Sequence, residues 1–355
     1  RYVSAQGSVS WQVDVTRKDF SLTTNIEKHV ERVEDEPVYC VTVPSTFVVV
    51  RRGGEVMVTG NCQNIVRALR GMFRAEPGRG LAACDYDQLE LRISAAYAGA
   101  SRYLEAFAKG LDPHAITSEA IYGEMWRRGS EKDKKRIRDF AKRFVYAVIY
   151  GATVETIHET IASAEDDNGN LIFPWVTLRE THTLVDRWMK ENPEYARWWD
   201  RQIEKYRKHG FLAEPVLGRR RFFLDGEDRN EIINYEVQAA GASCVTKASI
   251  ALVEGPLAFD YLGPGTGLIQ NGHDALMAES PCRHLVPGKP FKYPKGYTPQ
   301  RERGEVDGHP PLQPGETCPL VTAAYDIQDA MRQRFAGYDV WLTSTPKVGT
   351  FWSEV

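Results

Sequence analysis

Four side chains in the segment 138–151, Arg138, Lys142, Tyr146 and Tyr150, recur every fourth residue. At about 100° per residue, each step of four drifts by only about 40°, so all four share one helix face. That face offers two cations and then two aromatic rings. Cations suit a polyphosphate and rings suit a base. An ordinary basic amphipathic helix has the same spacing, so the face alone decides nothing. Local charge sharpens it. Between Arg127 and Arg143 nine Lys or Arg stand against three acids, in a chain whose net charge is only −3. Such a run is usually a solvated face. Here it overlaps the patterned helix and suits an electrostatic funnel for nucleotides.

Two further segments carry acids in suggestive places. Leu81-Ala82-Ala83-Cys84 reads as a buried strand, followed by Asp85-Tyr86-Asp87-Gln88-Leu89-Glu90-Leu91-Arg92. An Asp at the end of such a strand is a plausible metal ligand. The segment 268–277 reads as two short strands around a turn with His273-Asp274 at the tip. Two aspartates on separate strands beside a cationic helix suit two-metal phosphoryl transfer.

In this order the three segments resemble motifs A, B and C of the family A DNA polymerases. The first matches the family's DYSQIELR pattern at most positions. The helix carries the Arg, Lys, aromatic and Tyr-Gly elements of motif B at the family spacing. Asp112-Pro113-His114 with Thr117 resembles the segment before motif B. Gly218-Arg219-Arg220-Arg221 resembles the GRRR that returns the chain from fingers to palm. Asn234 and the segment 238–242 resemble the duplex-contacting helix, closest to the phage branch. The resemblance runs from about Gln63 to the C-terminus. It implies an α+β right-hand polymerase palm and fingers, extending a primer with dNTPs on template DNA.

The resemblance also assigns roles. Asp85 and Asp274 match the two catalytic carboxylates that hold two Mg²⁺ ions, with Tyr86 as a further metal-site residue; hard oxygen ligands are what Mg²⁺ prefers. Arg138 and Lys142 clamp the incoming triphosphate, and His114 meets its distal phosphates. Tyr150 stacks near the templating base. Tyr146 lies under the sugar, where its hydroxyl can stand in for a missing 3′-OH. Glu90 matches the residue that blocks a ribose 2′-OH. Arg67, Arg92, Asn234, Gln238 and His273 are candidates for primer–template contacts. Three departures stand out: Ala275 where the family often has Glu, Asp87 for the usual Ser, and Asn230 where the bacterial branch has Arg. The family's Pro after Gln-Asn-Ile is also absent, which weakens the match at Arg67.

The first sixty or so residues do not fit that pattern. They alternate apolar and polar positions and read as β-rich. The segment 38–49 resembles intein block F, and Val56 to Asn61 followed by Cys62 resembles the terminal splice block of a Hint-type intein. The resemblance implies that Asn61 cyclises and that Cys62 becomes the first residue of the downstream product. Cys40 and Thr59 match the class 3 pattern, in which the block F Cys forms the first thioester; thiolates suit that exchange. Gly60 replaces the usual penultimate His. The bland alternative is a β-rich subdomain with Cys40 as a small buried hydrophobe.

The expected organisation is therefore 1–61 intein part, 62–113 palm, 114–217 fingers and 218–355 palm, with a surface insertion over 281–319. A long helix is expected near 230–256, a last helix near 321–336 and a terminal strand ending near Trp352. An upstream polymerase and intein portion is the expected partner. Six scattered Cys fit a reducing compartment, and a cytoplasmic location follows, the host's if a phage encodes the chain. No apolar stretch is long enough to span a membrane. Cys282, His284 and Cys318 hint at zinc, but three ligands at no standard spacing argue against it. The competing functions are a catalytically dead DNA-binding remnant with only intein chemistry, and a single-subunit phage RNA polymerase; Glu90 opposes the latter.

Overall fold

The computed structural model describes residues 70–71, 73–164, 171–223, 228–255, 257–287, 289, 291–313 and 315–355, and the backbone alone of 2–3, 9–10, 47–52 and 55–60. The chain divides into two compact units, 1–70 and 71–355.

In the first unit, β1 (Tyr2–Val3) pairs antiparallel with β2 (Val9–Ser10), and β3 (Phe47–Arg52) with β4 (Glu55–Gly60). Thr59 lies on β4 opposite Val48. Cys40, Asn61, Cys62 and Arg67 fall outside the described residues.

The second unit is α+β. The apolar run that begins at Leu81 makes β5 (Arg79–Tyr86), which is buried from Gly80 to Cys84. Helices follow: α1 (Leu89–Ala98), α2 (Ser101–Ala108), α3 (Pro113–Tyr122), α4 (Glu124–Arg128), α5 (Glu131–Ile149), α6 (Val154–Ala162), α7 (Leu178–Glu191) and α8 (Pro193–His209). A small ladder, β6 (Leu212–Ala213) with β7 (Arg220–Arg221), leads into the long α9 (Arg229–Val253). Then come β8 (Gly267–Asn271), β9 (Ala275–Pro281), α10 (Pro319–Met331), β10 (Gln333–Arg334), β11 (Trp341–Leu342) and β12 (Ser344–Gly349). Strands β12, β5, β9 and β8 form one antiparallel sheet in that order. Helix α10 packs on β5, β9 and β12, while α9 contacts α1, α10 and β8.

The patterned helix is α5. A capping box starts it, with Ser130 Oγ accepting from the Asp133 amide and the Asp133 carboxylate accepting from the Ser130 amide. Its buried side is Ile137, Phe140, Ala141, Phe144, Val145, Val148 and Ile149. It stops because Gly151 takes φ 70°. A Cβ there would meet the Arg229 guanidinium at 3.0 Å and Ile233 at 3.2 Å.

Two sequence expectations are corrected. The last helix ends at Met331, not near 336. Gln333 Nε2 donates to Tyr86 Oη (2.6 Å) and to the Cys244 carbonyl (3.1 Å), which pins the chain as β10 against β11. The region 281–319 is not merely a surface insertion. It buries Cys282, Glu305, Val306, His309 and Cys318, and Arg301 clasps Asp329 on α10. No helix among the described residues is long and apolar enough to cross a membrane.

Candidate active site

Strand alternation turns Cys84 and Tyr86 inward and leaves Asp85 exposed at the end of β5. The register pairs Asp85 with Ala275, and the Tyr86 amide donates to the Asp274 carbonyl at 2.8 Å. Asp85, at the end of β5, and Asp274, in the turn between β8 and β9, are thereby set at one end of the sheet although 189 positions apart. Loss of hydration in the cleft raises the pKa of Asp274, and the Glu90 charge adds to this; His273 and Lys142 oppose it. Although its own side chain reaches solvent, the surrounding atoms withdraw enough water to make negative charge costly there.

One side-chain network joins the three motif segments to α9. Gln238 Nε2 donates to Glu90 Oε1 (2.7 Å) and to Tyr150 Oη (2.9 Å). Its Oε1 accepts from His273 Nε2 (2.8 Å), and that nitrogen lies 3.8 Å from Glu90. Asn234 Nδ2 donates to the Tyr150 carbonyl at 3.3 Å. Burial, reinforced by the Glu90 charge, holds the pKa of both Tyr146 and Tyr150 well up, so both stay protonated phenols.

The cations differ in their commitments. Lys142 is exposed and makes no ion pair among the described residues. Arg138 is held by Asp112, the N-cap of α3, through a short charge-assisted contact. His114 follows that cap and is only 1% exposed; its Nδ1 has no partner and its ring packs 6.0 Å from Tyr146. Burial pushes its pKa down to about 4, with Arg138 and Lys142 adding to the effect and Asp112 opposing it. At neutral pH it is an uncharged imidazole.

Other expected residues sit differently. Arg92 donates to the carbonyls of Asp87 (2.8 Å) and Trp341 (2.9 Å) and lies over Phe107. Its guanidinium ties α1 to β11 and does not join the Gln238 network. The Tyr86 phenol is buried, accepts from Gln333, and has its pKa pushed up by burial. It is no anionic ligand; what Tyr86 can offer a metal is its main-chain carbonyl. Asp87 accepts from Thr343 (3.0 Å) and Thr345 (3.3 Å), so its extra charge is anchored toward β12.

Three residues of consequence were given no role by the sequence. Asp112 positions Arg138. Gln333 holds Tyr86. Glu214, 1% exposed, accepts from the amides of Val216, Leu217 and Arg219 and from Ser243 Oγ. It fastens the Gly218–Arg221 turn to α9. Asp112 appeared in the sequence only as part of the Asp112-Pro113-His114 resemblance, with no hint of its hold on Arg138.

The profile of DNA polymerase family A matches residues 55–285. The chain belongs to that family. It is 31% identical to DNA polymerase I of Chloroflexus aurantiacus over 241 residues, covering 64% of this chain and 23% of that protein. It is 29% identical to DNA polymerase I of Aquifex aeolicus, covering 62% and 35%. It is 25% identical to the DNA polymerase of Mycobacterium phage D29, covering 52% and 27%. The chain thus aligns with about a quarter to a third of these relatives' length. The polymerase domain of Pol1 from M. smegmatis, solved with DNA primer-template and dNTP, matches with TM-score 0.59 at 18% identity, covering 85% of this chain and 46% of that one. That likeness speaks to the fold. The family match begins at Glu55, on β4, ahead of Cys62.

Family A polymerases are metal-dependent. The donors present suit a hard divalent cation: the exposed carboxylates of Asp85, at the end of β5, and of Asp274, in the turn just ahead of the neighbouring β9.

Proposed function

We propose that the chain is the palm and fingers part of a template-directed DNA polymerase that adds dNTPs to a primer 3′-OH. The observation that carries this is the β5–β9 register, which pairs Asp85 with Ala275, the residue after Asp274, while the Lys142 charge acts on Asp274. The primer-template and dNTP bound by the M. smegmatis relative support the substrate class.

Asp85, Asp274 and the Tyr86 carbonyl would hold the metal, two Mg²⁺ ions in this reading. The ions supply activation of the attacking oxygen and neutralisation of the leaving one. The other roles fall to side chains. Lys142, without a carboxylate partner among the described residues, is the cation most ready to meet a triphosphate. Arg138 shares its charge with Asp112 and meets the triphosphate by turning from it. His114 approaches the phosphates as a neutral hydrogen-bond donor. Tyr146 lies under the sugar, and Glu90, braced by Gln238, closes the space beside C2′. Tyr150 leaves Gln238 to stack near the template. Asn234, Gln238 and His273, and more remotely Arg67 and Arg92, contact the primer–template.

In the same proposal residues 1–61 are the C-terminal part of a class 3 intein in a phage-encoded precursor, excised through Cys40, Thr59, Asn61 and Cys62. The support is the sequence pattern at those positions. The splicing test supplies the upstream portion and resolves products by mass. Cys40→Ala is expected to block ligation, and Asn61→Ala to trap unspliced or branched chain. Ligated product from Asn61→Ala contradicts splicing, and from Cys40→Ala contradicts the class 3 route. The polymerase test is primer extension by protein carrying that upstream portion.

A further inference from the structure

The region between β9 and α10 contains a second cluster whose chemistry differs from the first. Cys282 immediately follows β9, and Cys318 is the N-cap residue of α10. They are 36 positions apart, yet their Sγ atoms lie 3.6 Å apart. His309 Nε2 is 3.5 Å and His284 Nδ1 3.9 Å from Cys282 Sγ. All four ligand atoms lie within 4.8 Å of one another. The sequence displays three of these residues; the fold brings the fourth, His309.

We propose that Cys282, His284, His309 and Cys318 bind one structural zinc ion. Three observations carry this. The first is spacing. Zn–S and Zn–N bonds of about 2.3 and 2.0 Å in a tetrahedron give ligand–ligand edges of about 3.3–3.8 Å. Three of the six separations, 3.5, 3.6 and 3.9 Å, lie close to those edges, and none of the six exceeds 4.8 Å.

The second is the orientation of both imidazoles. His284 Nε2 donates to the Glu316 carboxylate at 2.9 Å, which leaves Nδ1 as the lone-pair nitrogen facing the sulfurs. His309 Nδ1 donates to the Pro310 carbonyl at 2.6 Å, which leaves Nε2 facing them. Each ring therefore has its outer nitrogen fixed by an oxygen acceptor, the arrangement that orients histidine ligands on metals.

The third is that the site is formed by the fold around it. His309 is 0% exposed, Cys318 2% and Cys282 5%. The Val348 amide donates to the Asp307 carbonyl at 2.8 Å, bridging this region to β12. Gly308 takes φ +91°, and a Cβ there would lie 1.8 Å from the Val348 carbonyl oxygen. His309 is thus set by backbone pairing. Two thiolates neutralise Zn²⁺, which suits so buried a place, and binding releases the thiol protons. Four N and S donors favour zinc over the oxygen-seeking cations of the aspartate site.

The consequence is mechanical. The ion clips the end of β9, whose first residue follows Asp274, to the start of α10 on the same sheet. It closes the intervening loop, and loop closure stabilises by restricting the unfolded chain.

The test uses the full chain purified under reducing conditions and equilibrated with zinc, then freed of loose ions. One zinc per chain by elemental analysis is expected, with a drop of several degrees in melting temperature on chelation. Cobalt exchanged into the site is expected to show thiolate charge-transfer absorption. The double variant Cys282→Ser/Cys318→Ser is expected to lose the ion. Glu316→Gln keeps all four ligands and is expected to weaken zinc about 10- to 100-fold, so the proposal survives a misfolded cysteine variant. A chain that takes up no zinc, one that holds iron in its place, a double variant that keeps its zinc, or a Cys282–Cys318 disulfide in the reduced preparation would each overturn it.

Discussion

The Tyr86 amide donates to the Asp274 carbonyl at 2.8 Å. This bond ties the end of β5 to the turn ahead of β9, where Asp85 pairs with Ala275, the residue after Asp274. Every role proposed for the cleft depends on that alignment.

Sugar discrimination is expected to depend on Glu90 and its brace. Glu90→Ala should raise the rNTP/dNTP incorporation ratio at least about tenfold by opening space beside C2′. Gln238→Leu removes the donor that holds Glu90 at 2.7 Å and should move the ratio the same way by less. Competitive incorporation assays measure both. An unchanged ratio in Glu90→Ala rejects the steric role.

Stability is expected to fall with pH through His114. Its folded pKa, about 4, lies below the ordinary value of 6.5 because burial opposes its charge. Between those values the unfolded chain binds a proton that the folded chain refuses. Stability is therefore unaffected above about pH 6.5, declines as pH falls toward 4, and levels off below, a loss of roughly 3 kcal/mol. Urea titrations of wild type and His114→Gln across that window should differ by this slope. Parallel curves would contradict it.

Glu214→Gln is expected to destabilise by about 3 kcal/mol, since an amide cannot accept from three backbone donors and the Ser243 hydroxyl together. The urea midpoint reports it. A shift near zero would mean that the turn at 214–219 rearranges freely.

Gly151→Ala is expected to cost about 1–2 kcal/mol, because φ 70° and the 3.0 Å approach to Arg229 both oppose a Cβ. The same change should loosen Tyr150, the residue before it, and lower dNTP affinity. A neutral effect on both midpoint and affinity would argue that α5 ends as well without glycine.

Local pattern made much of this legible. Of the four-residue recurrence, Arg138, Lys142 and Tyr146 lie within α5 and Tyr150 is its C-cap residue, with both tyrosines packed against the core. The apolar run before Asp85 became β5, and the turn at His273-Asp274 joins β8 to β9. What escaped depends on distant pairs. Asp87 finds Thr343 and Thr345, and Arg92 finds Trp341, across some 250 positions that no local period reports. His309 was invisible as a ligand because β12 pairing, not spacing from Cys282, brings it in. The buried Glu214 gave no hint, since only the returning turn supplies its donors.

Single-turnover primer extension by protein carrying the upstream portion, wild type against Asp274→Asn, tests the central claim most directly. The substitution keeps the shape of the side chain and removes its charge. Primer–template affinity, followed by fluorescence anisotropy, should hold within a few fold while dNTP incorporation falls at least about 1,000-fold. Incorporation by Asp274→Asn within a few fold of wild type would contradict the assignment of the β5–β9 carboxylates as the catalytic pair.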